Sequence, residues 1–140
     1  MKPVLTPDEI EALIHEVFPQ VRGQFTIEAM AEDGLTVRLH TNGSHLRPGG
    51  TISGPAMFTL ADCAFYFATL AMIGPEALTV TTNCNIDFLR KPPPGDLLGE
   101  ARILKLGKTL SVGDVLIRSD VSGEVVARAS LTYAIPPKRG

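Results

Sequence analysis

The sequence predicts an α+β fold in which one antiparallel sheet curls around a long central helix. Three observations predict it. From Pro55 to Ile73 nearly every residue is apolar or small and the single charge is Asp62, and a helix hydrophobic on nearly all sides must be wrapped by other structure or lie in lipid. Strand-like runs lie on both sides of that segment, joined by short turns rather than by helices, so they pair antiparallel. No repeat, linker or low-complexity tract interrupts the 140 residues, a length that one compact domain fills with a real core.

The elements follow in order. Thr6-Pro7-Asp8-Glu9 is a helix start: Thr6 can cap, Pro7 suits the first helical position and Glu9 completes a capping box. Ile10, Leu13, Ile14 and Val17 recur at helical spacing, so a short amphipathic helix is expected over residues 7–18, before Pro19. Gln24 to Met30 and Leu35 to Thr41 alternate apolar and polar around Asp33-Gly34, the pattern of a hairpin. His40 to Gly50 is a polar, glycine-rich loop, and the central helix is expected over residues 54–72, closed by Gly74-Pro75. Thr79 to Arg90 is a long strand whose alternation puts Val80, Thr82, Cys84, Ile86 and Phe88 on one face and Thr79, Thr81, Asn83, Asn85 and Asp87 on the other. Pro92-Pro93-Pro94-Gly95 ends it. Leu97 to Leu106, Leu110 to Ser119 and Val125 to Ile135 complete the sheet, with turns at Gly107-Lys108 and Ser122-Gly123. Such a sheet leaves exposed edges, which a second copy would pair or cover, so a homodimer is expected on physical grounds.

Composition excludes several classes. A hydrophobic content of 44% and charged content of 20% are those of an ordinary globular protein. A formal net charge of -2 argues against a nucleic-acid partner, while Arg90-Lys91 and Lys105/Lys108 are local clusters able to hold an anion. Cys63 and Cys84 lie in apolar runs and read as reduced core thiols, and His15, His40 and His45 lack metal-ligand spacing, so no metal site is expected. The start MKPVLTPDEIE has no basic segment followed by an apolar run. The 19 residues from Pro55 to Ile73 are long enough to span a bilayer, but Asp62 sits near their middle and charged anchors are missing from the flanks. A soluble, cytoplasmic protein without a membrane partner is expected. Gly107-Lys108-Thr109 is no phosphate-binding loop, because Arg102 stands where that motif needs glycine.

An ionised carboxylate inside an apolar helix is costly unless it is paired, hydrogen-bonded or placed at a cleft, so Asp62, just after a glycine-rich helix start, is where function is expected. Gly50-Thr51-Ile52-Ser53-Gly54-Pro55 followed by Leu60-Ala61-Asp62-Cys63-Ala64 resembles the hotdog-fold acyl-CoA thioesterases of the phenylacetate-pathway (PaaI-like) group, which show G-x-x-H-G-G and then a helix carrying L-x-D-x-A. Asn85-Ile86-Asp87-Phe88-Leu89-Arg90, followed by prolines and Gly-Asp, and Leu104-Lys105-Leu106-Gly107-Lys108 are similar to it too. The resemblance covers roughly residues 24 to 135.

It implies a hotdog fold, an acyl-CoA substrate with coenzyme A as part of that substrate, no separate cofactor, and a homodimer assembling to a tetramer. By the same resemblance Asp62 acts as general base or nucleophile on the thioester, and the Gly54 backbone amide, at a helix N-terminus, stabilises the oxyanion. The two groups would come from different chains of the dimer. Two departures stand out: Ser53 replaces the family's histidine and Pro55 its second glycine. Ser53 can cap the helix but cannot do a histidine's acid–base work, and Pro55 leaves the Gly54 donor available. Arg47, six positions before Ser53, can meet an anionic acyl group. Thr81, with Thr82 beside it, matches a hydroxyl that holds the attacking water. Arg90, Lys91, Lys105 and Lys108 are candidates for the coenzyme A phosphates, and Met57, Phe58, Phe65 and Phe67 for the wall of an acyl tunnel. Two competing functions are a non-catalytic acyl-CoA or acyl-carrier binder and a hotdog-type enoyl-CoA hydratase. The hydratase would need a histidine after Asp62, and the chain has none there.

Overall fold

The computed structural model describes residues 1–137. Helix α1 spans Pro7–Val17, and its start is built as its sequence requires: the Thr6 side chain accepts from the Glu9 N–H while the Glu9 carboxylate accepts from the Thr6 N–H. Proline at position 19 stops it, and a 3-10 turn over Pro19–Val21 leads into β1 (Phe25–Ala31) and β2 (Gly34–Leu39). After the loop comes α2 (Gly54–Ile73), then β3 (Val80–Phe88), β4 (Leu97–Leu106), β5 (Leu110–Ser119) and β6 (Val125–Ala134). The six strands form one sheet in the order β1-β2-β4-β5-β6-β3, with every pair antiparallel. This is the hotdog arrangement, a sheet wrapped on a central helix.

Helix α2 is apolar on nearly all sides because it is covered on nearly all sides, and fourteen of its residues are buried. It lies close to the sheet at two glycines. A Cβ on Gly99 would meet the Leu60 side chain at 3.1 Å, and one on Gly113 would meet the Phe65 ring at 2.6 Å. The fully buried Thr69 and Ser111 hydroxyls bond each other across this interface at 3.0 Å, which fixes the rotation of α2 on β5. Gly74, at φ 96°, ends the helix in a conformation that L side chains avoid.

One expectation about β3 is corrected. The strand does not alternate uniformly: its pairing with β6 steps from Thr81↔Tyr133 to Asn83↔Thr132, so Thr82 is an inserted bulge residue. Thr81 therefore shares the inner face with Cys84 and Ile86 rather than opposing them. Thr82 is turned out, its hydroxyl donating to the Thr132 carbonyl at 3.2 Å. β3 is also an edge strand. Along it and just beyond it Val80, Phe88 and Leu89 are each more than half exposed.

Candidate active site

Asp62 sits on α2 where the helix faces the inner side of β3 and β6. The Thr81 hydroxyl donates to Asp62 Oδ1 at 2.6 Å and the Tyr133 hydroxyl reaches the same oxygen at 2.7 Å, with the Asp62 carbonyl at 2.9 Å as its other acceptor. Oδ2 has no hydrogen-bond partner among the described residues. One oxygen is thus fixed by two hydroxyls and the other is available for a proton. Burial chiefly, and the Asp62 charge behind it, hold the Tyr133 hydroxyl well above the usual tyrosine range against an opposing contribution from Thr81. Tyr133 accordingly stays protonated and remains a donor.

Asp62 opens into a cleft of about 310 Å³ between α2, the C-terminal end of α1 and the start of β3. Tyr66, one turn after Asp62, lines it and donates to the Ala77 carbonyl at 2.7 Å. Tyr66 also stacks on Tyr133 with ring centroids 5.8 Å apart. Cys63 lines the same cleft, and burial, aided by the neighbouring carboxylate, pushes its thiol up to about 12. The same two causes raise Cys84. The buried Cys63 thiol is thereby a poor nucleophile at neutral pH. Iodoacetamide at pH 8 is therefore expected to leave Cys63 unmodified in the folded protein and to label it in urea, as read by peptide mass. Labelling of Cys63 under native conditions would contradict its burial.

Helix α2 begins at Gly54, with the Ser53 hydroxyl accepting from the Ala56 N–H at 3.2 Å, so Ser53 is the cap that its position predicts. Pro55 occupies the first turn, and Gly54 faces the Phe88 ring at the end of β3. Gly54 and Asp62 are eight residues apart on one helix, about 12 Å at 1.5 Å per residue. One thioester carbonyl cannot reach both within a chain.

The other predicted residues are not gathered at one place. Arg47 is exposed and anchors a tight turn through its backbone, its N–H donating to the Thr51 carbonyl at 2.9 Å. Arg90 is engaged by its own chain, with Nε 3.0 Å from Glu124 and Nη1 donating to the Val125 carbonyl at 2.6 Å. Lys91 is exposed beside Pro92, whose carbonyl accepts from Ile52 near the start of α2. Lys105 and Lys108 lie at the opposite end of α2, where Lys108 shares a groove with Met72 and Ile73. Of the proposed tunnel residues, Met57, Phe65 and Phe67 are core, whereas Phe58 is 40% exposed. Tyr133, Tyr66 and Phe18 were missed. Tyr133 was within reach only through the register of β3 on β6, because its sequence position marks it simply as an inward residue of the last strand.

Comparison with known proteins agrees with this architecture. The thioesterase superfamily profile matches residues 49–133, from the turn before α2 to Tyr133. A crystal structure from a Silicibacter species, described provisionally as a thioesterase, is similar to the chain at 54% identity and a TM-score of 0.90, covering 98% of this chain and 96% of that one. Human acyl-coenzyme A thioesterase 13 is 27% identical over 82% of this chain and 82% of its own. A mutant of the phenylacetic acid degradation protein PaaI from Thermus thermophilus, at 24% identity and a TM-score of 0.72 over 84% of this chain and 99% of its own, shares the fold. The segment that the profile spans carries the Ser53-capped helix start, Asp62 and both of its hydroxyl partners. The chain belongs to the thioesterase superfamily.

Proposed function

We propose that the protein hydrolyses an acyl-CoA to free coenzyme A and a carboxylic acid, with Asp62 as general base or nucleophile. The observation that carries this reading is a carboxylate with Oδ1 fixed by Thr81 and Tyr133 and Oδ2 without a partner among the described residues, at the wall of a cleft. In the general-base course, Asp62 Oδ2 takes a proton from water as its oxygen attacks the thioester carbon. The carbonyl oxygen becomes an oxyanion, which the Gly54 N–H stabilises at the positive end of α2. The C–S bond then breaks, and the thiolate of coenzyme A leaves and is protonated. Ser53, whose hydroxyl already caps α2, positions Gly54 rather than moving a proton.

The separation of Gly54 and Asp62 along α2 supports a site shared between two copies of the chain. So do the apolar edge of β3, unpaired among the described residues, and the half-exposed Phe58 of α2. A homodimer, itself able to pair into a tetramer, would bring the Asp62 of one copy to the Gly54 of the other. Lys91, Lys105, Lys108 and Arg47 are exposed and open to an anionic ligand such as the coenzyme A phosphates or an acidic acyl group. A cytoplasmic location fits a coenzyme A substrate.

Free-thiol release from a panel of acyl-CoAs tests the activity, and mixing two dead variants tests the shared site. Asp62→Ala and Gly54→Pro are each expected to be inactive alone. In a two-fold dimer their mixture, refolded together, is expected to regain about a quarter of wild-type activity, because half the dimers are mixed and each of those keeps one intact site. A mixture as inactive as its parts would place both groups in one chain's site. A wild-type protein that binds intact acyl-CoA by calorimetry and releases no thiol would be the non-catalytic binder.

A further inference from the structure

We propose that Phe18, at the end of α1, is the closed end of the acyl pocket and sets the length of acyl group that the site accepts. This rests on the hydrolase reading above in one respect, that Asp62 marks where the thioester carbonyl lies. Phe18 and Val17 stand on the far wall of the Asp62 cleft, and both precede the residues that the superfamily profile matches. The wall therefore lies outside the segment that the profile spans.

Its position is fixed by packing and hydrogen bonds rather than by the loop it ends in. Ile10 and Ile14 of α1 are buried. The Val4 N–H donates to the Ala71 carbonyl of α2 at 2.7 Å, and the Ile27 N–H of β1 donates to Glu11 Oε1 at 3.0 Å. The Phe18 N–H closes the helix on the Ile14 carbonyl at 2.8 Å. Phe18 then meets Tyr66 edge to face, with ring centroids 6.4 Å apart. Tyr66 follows Asp62 by one turn on the same face of α2. The Phe18–Tyr66 wall thus begins about one helical turn from the carboxylate, on the order of 5 Å along α2.

The cleft volume, about 310 Å³, lies at the lower limit of small-molecule sites. Both measures favour a short acyl group over a long chain. A second observation marks the inner wall as a binding surface. Thr79 is 5% exposed and lines the cleft, and its hydroxyl oxygen has no hydrogen-bond partner among the described residues. A buried hydroxyl in that state is rare in a wall that serves packing alone, and an occupant or its water would satisfy it.

The test is kcat/KM for butanoyl-, octanoyl- and dodecanoyl-CoA in wild type, Phe18→Ala and Phe18→Trp. The same ladder is read as Kd by calorimetry on the Asp62→Ala protein with and without each Phe18 change. Each methylene newly buried is worth about fourfold, so Phe18→Ala is expected to raise the dodecanoyl-to-butanoyl ratio about tenfold or more. Phe18→Trp is expected to lower it. If both variants melt with the wild type and leave the ratio within about twofold in rate and in Kd, on the scale of less than one methylene, the proposal falls. If Phe18→Ala does not fold, the direction of the Trp variant decides. If no acyl-CoA is turned over, or Asp62→Ala turns over like wild type, the hydrolase reading fails, and the Kd ratios still decide the role of Phe18.

Discussion

Asp62→Ala is expected to lower kcat/KM for acyl-CoA hydrolysis by about 100-fold or more, the range for loss of a positioned general base. The size of the effect follows from how the carboxylate is held. Thr81 and Tyr133 both address Oδ1, which fixes the plane of the group and leaves Oδ2 to take the proton. A freely rotating carboxylate would lose that orientation, and part of the rate gain from proximity with it. Asp62→Asn separates chemistry from structure. The amide keeps the shape and an oxygen that Thr81 can donate to, so Tm is expected to stay within a few degrees while activity falls as far as in the alanine variant. An Asn variant with wild-type turnover would remove Asp62 from the proton transfer.

The helices were legible in the sequence because their signals are local. The Thr6–Glu9 box, Pro19, Ser53 and Gly74 each act within one turn, and each sits where it was expected. The identity of the site carboxylate was legible for the same reason, since a lone charge in an apolar helix stands out without any knowledge of its partners. What was not legible depends on strand register. Simple alternation put Thr81 on the face opposite Cys84, and a single inserted residue, Thr82, reverses that. The bulge is what brings the Thr81 hydroxyl to Asp62. Tyr133 pairs with Thr81 across β6 and β3, about fifty residues apart in sequence, and no local pattern marks it. The basic residues are not gathered at one place by the fold. Arg90 is held by Glu124 and a carbonyl, and Lys105 and Lys108 lie a helix length from Lys91.

Gly113→Ala is expected to be strongly destabilising. Gly113 of β5 pairs with Ile103 of β4, immediately before the register shift between Ile103 and Lys105. A Cβ at this position would stand 2.1 Å from the Arg102 carbonyl oxygen and 2.6 Å from Cε1 of Phe65. The first neighbour is backbone in a paired strand and the second belongs to a fully buried ring. Neither can give way without parting β4 from β5 or expelling Phe65. A loss of about 3 kcal/mol, at the upper end for an overpacked core, corresponds to a fall in Tm on the order of 10 °C for a domain of this size. Gly99→Ala is the control, because its Cβ would meet side chains rather than backbone, Leu60 at 3.1 Å and the Ala64 methyl at 3.4 Å, and the Leu60 side chain can shift by a few tenths of an ångström. The consequence reaches the site. Phe65 packs on Tyr133 with centroids 5.7 Å apart, and Tyr133 holds Asp62. In the Gly113 variant, kcat/KM measured well below its Tm is therefore expected to fall with the displaced tyrosine, whereas Gly99→Ala keeps its activity. A Gly113→Ala protein that melts with the wild type would mean that α2 does not press Phe65 onto β5, and the orientation of Tyr133 would then have to come from Tyr66 alone.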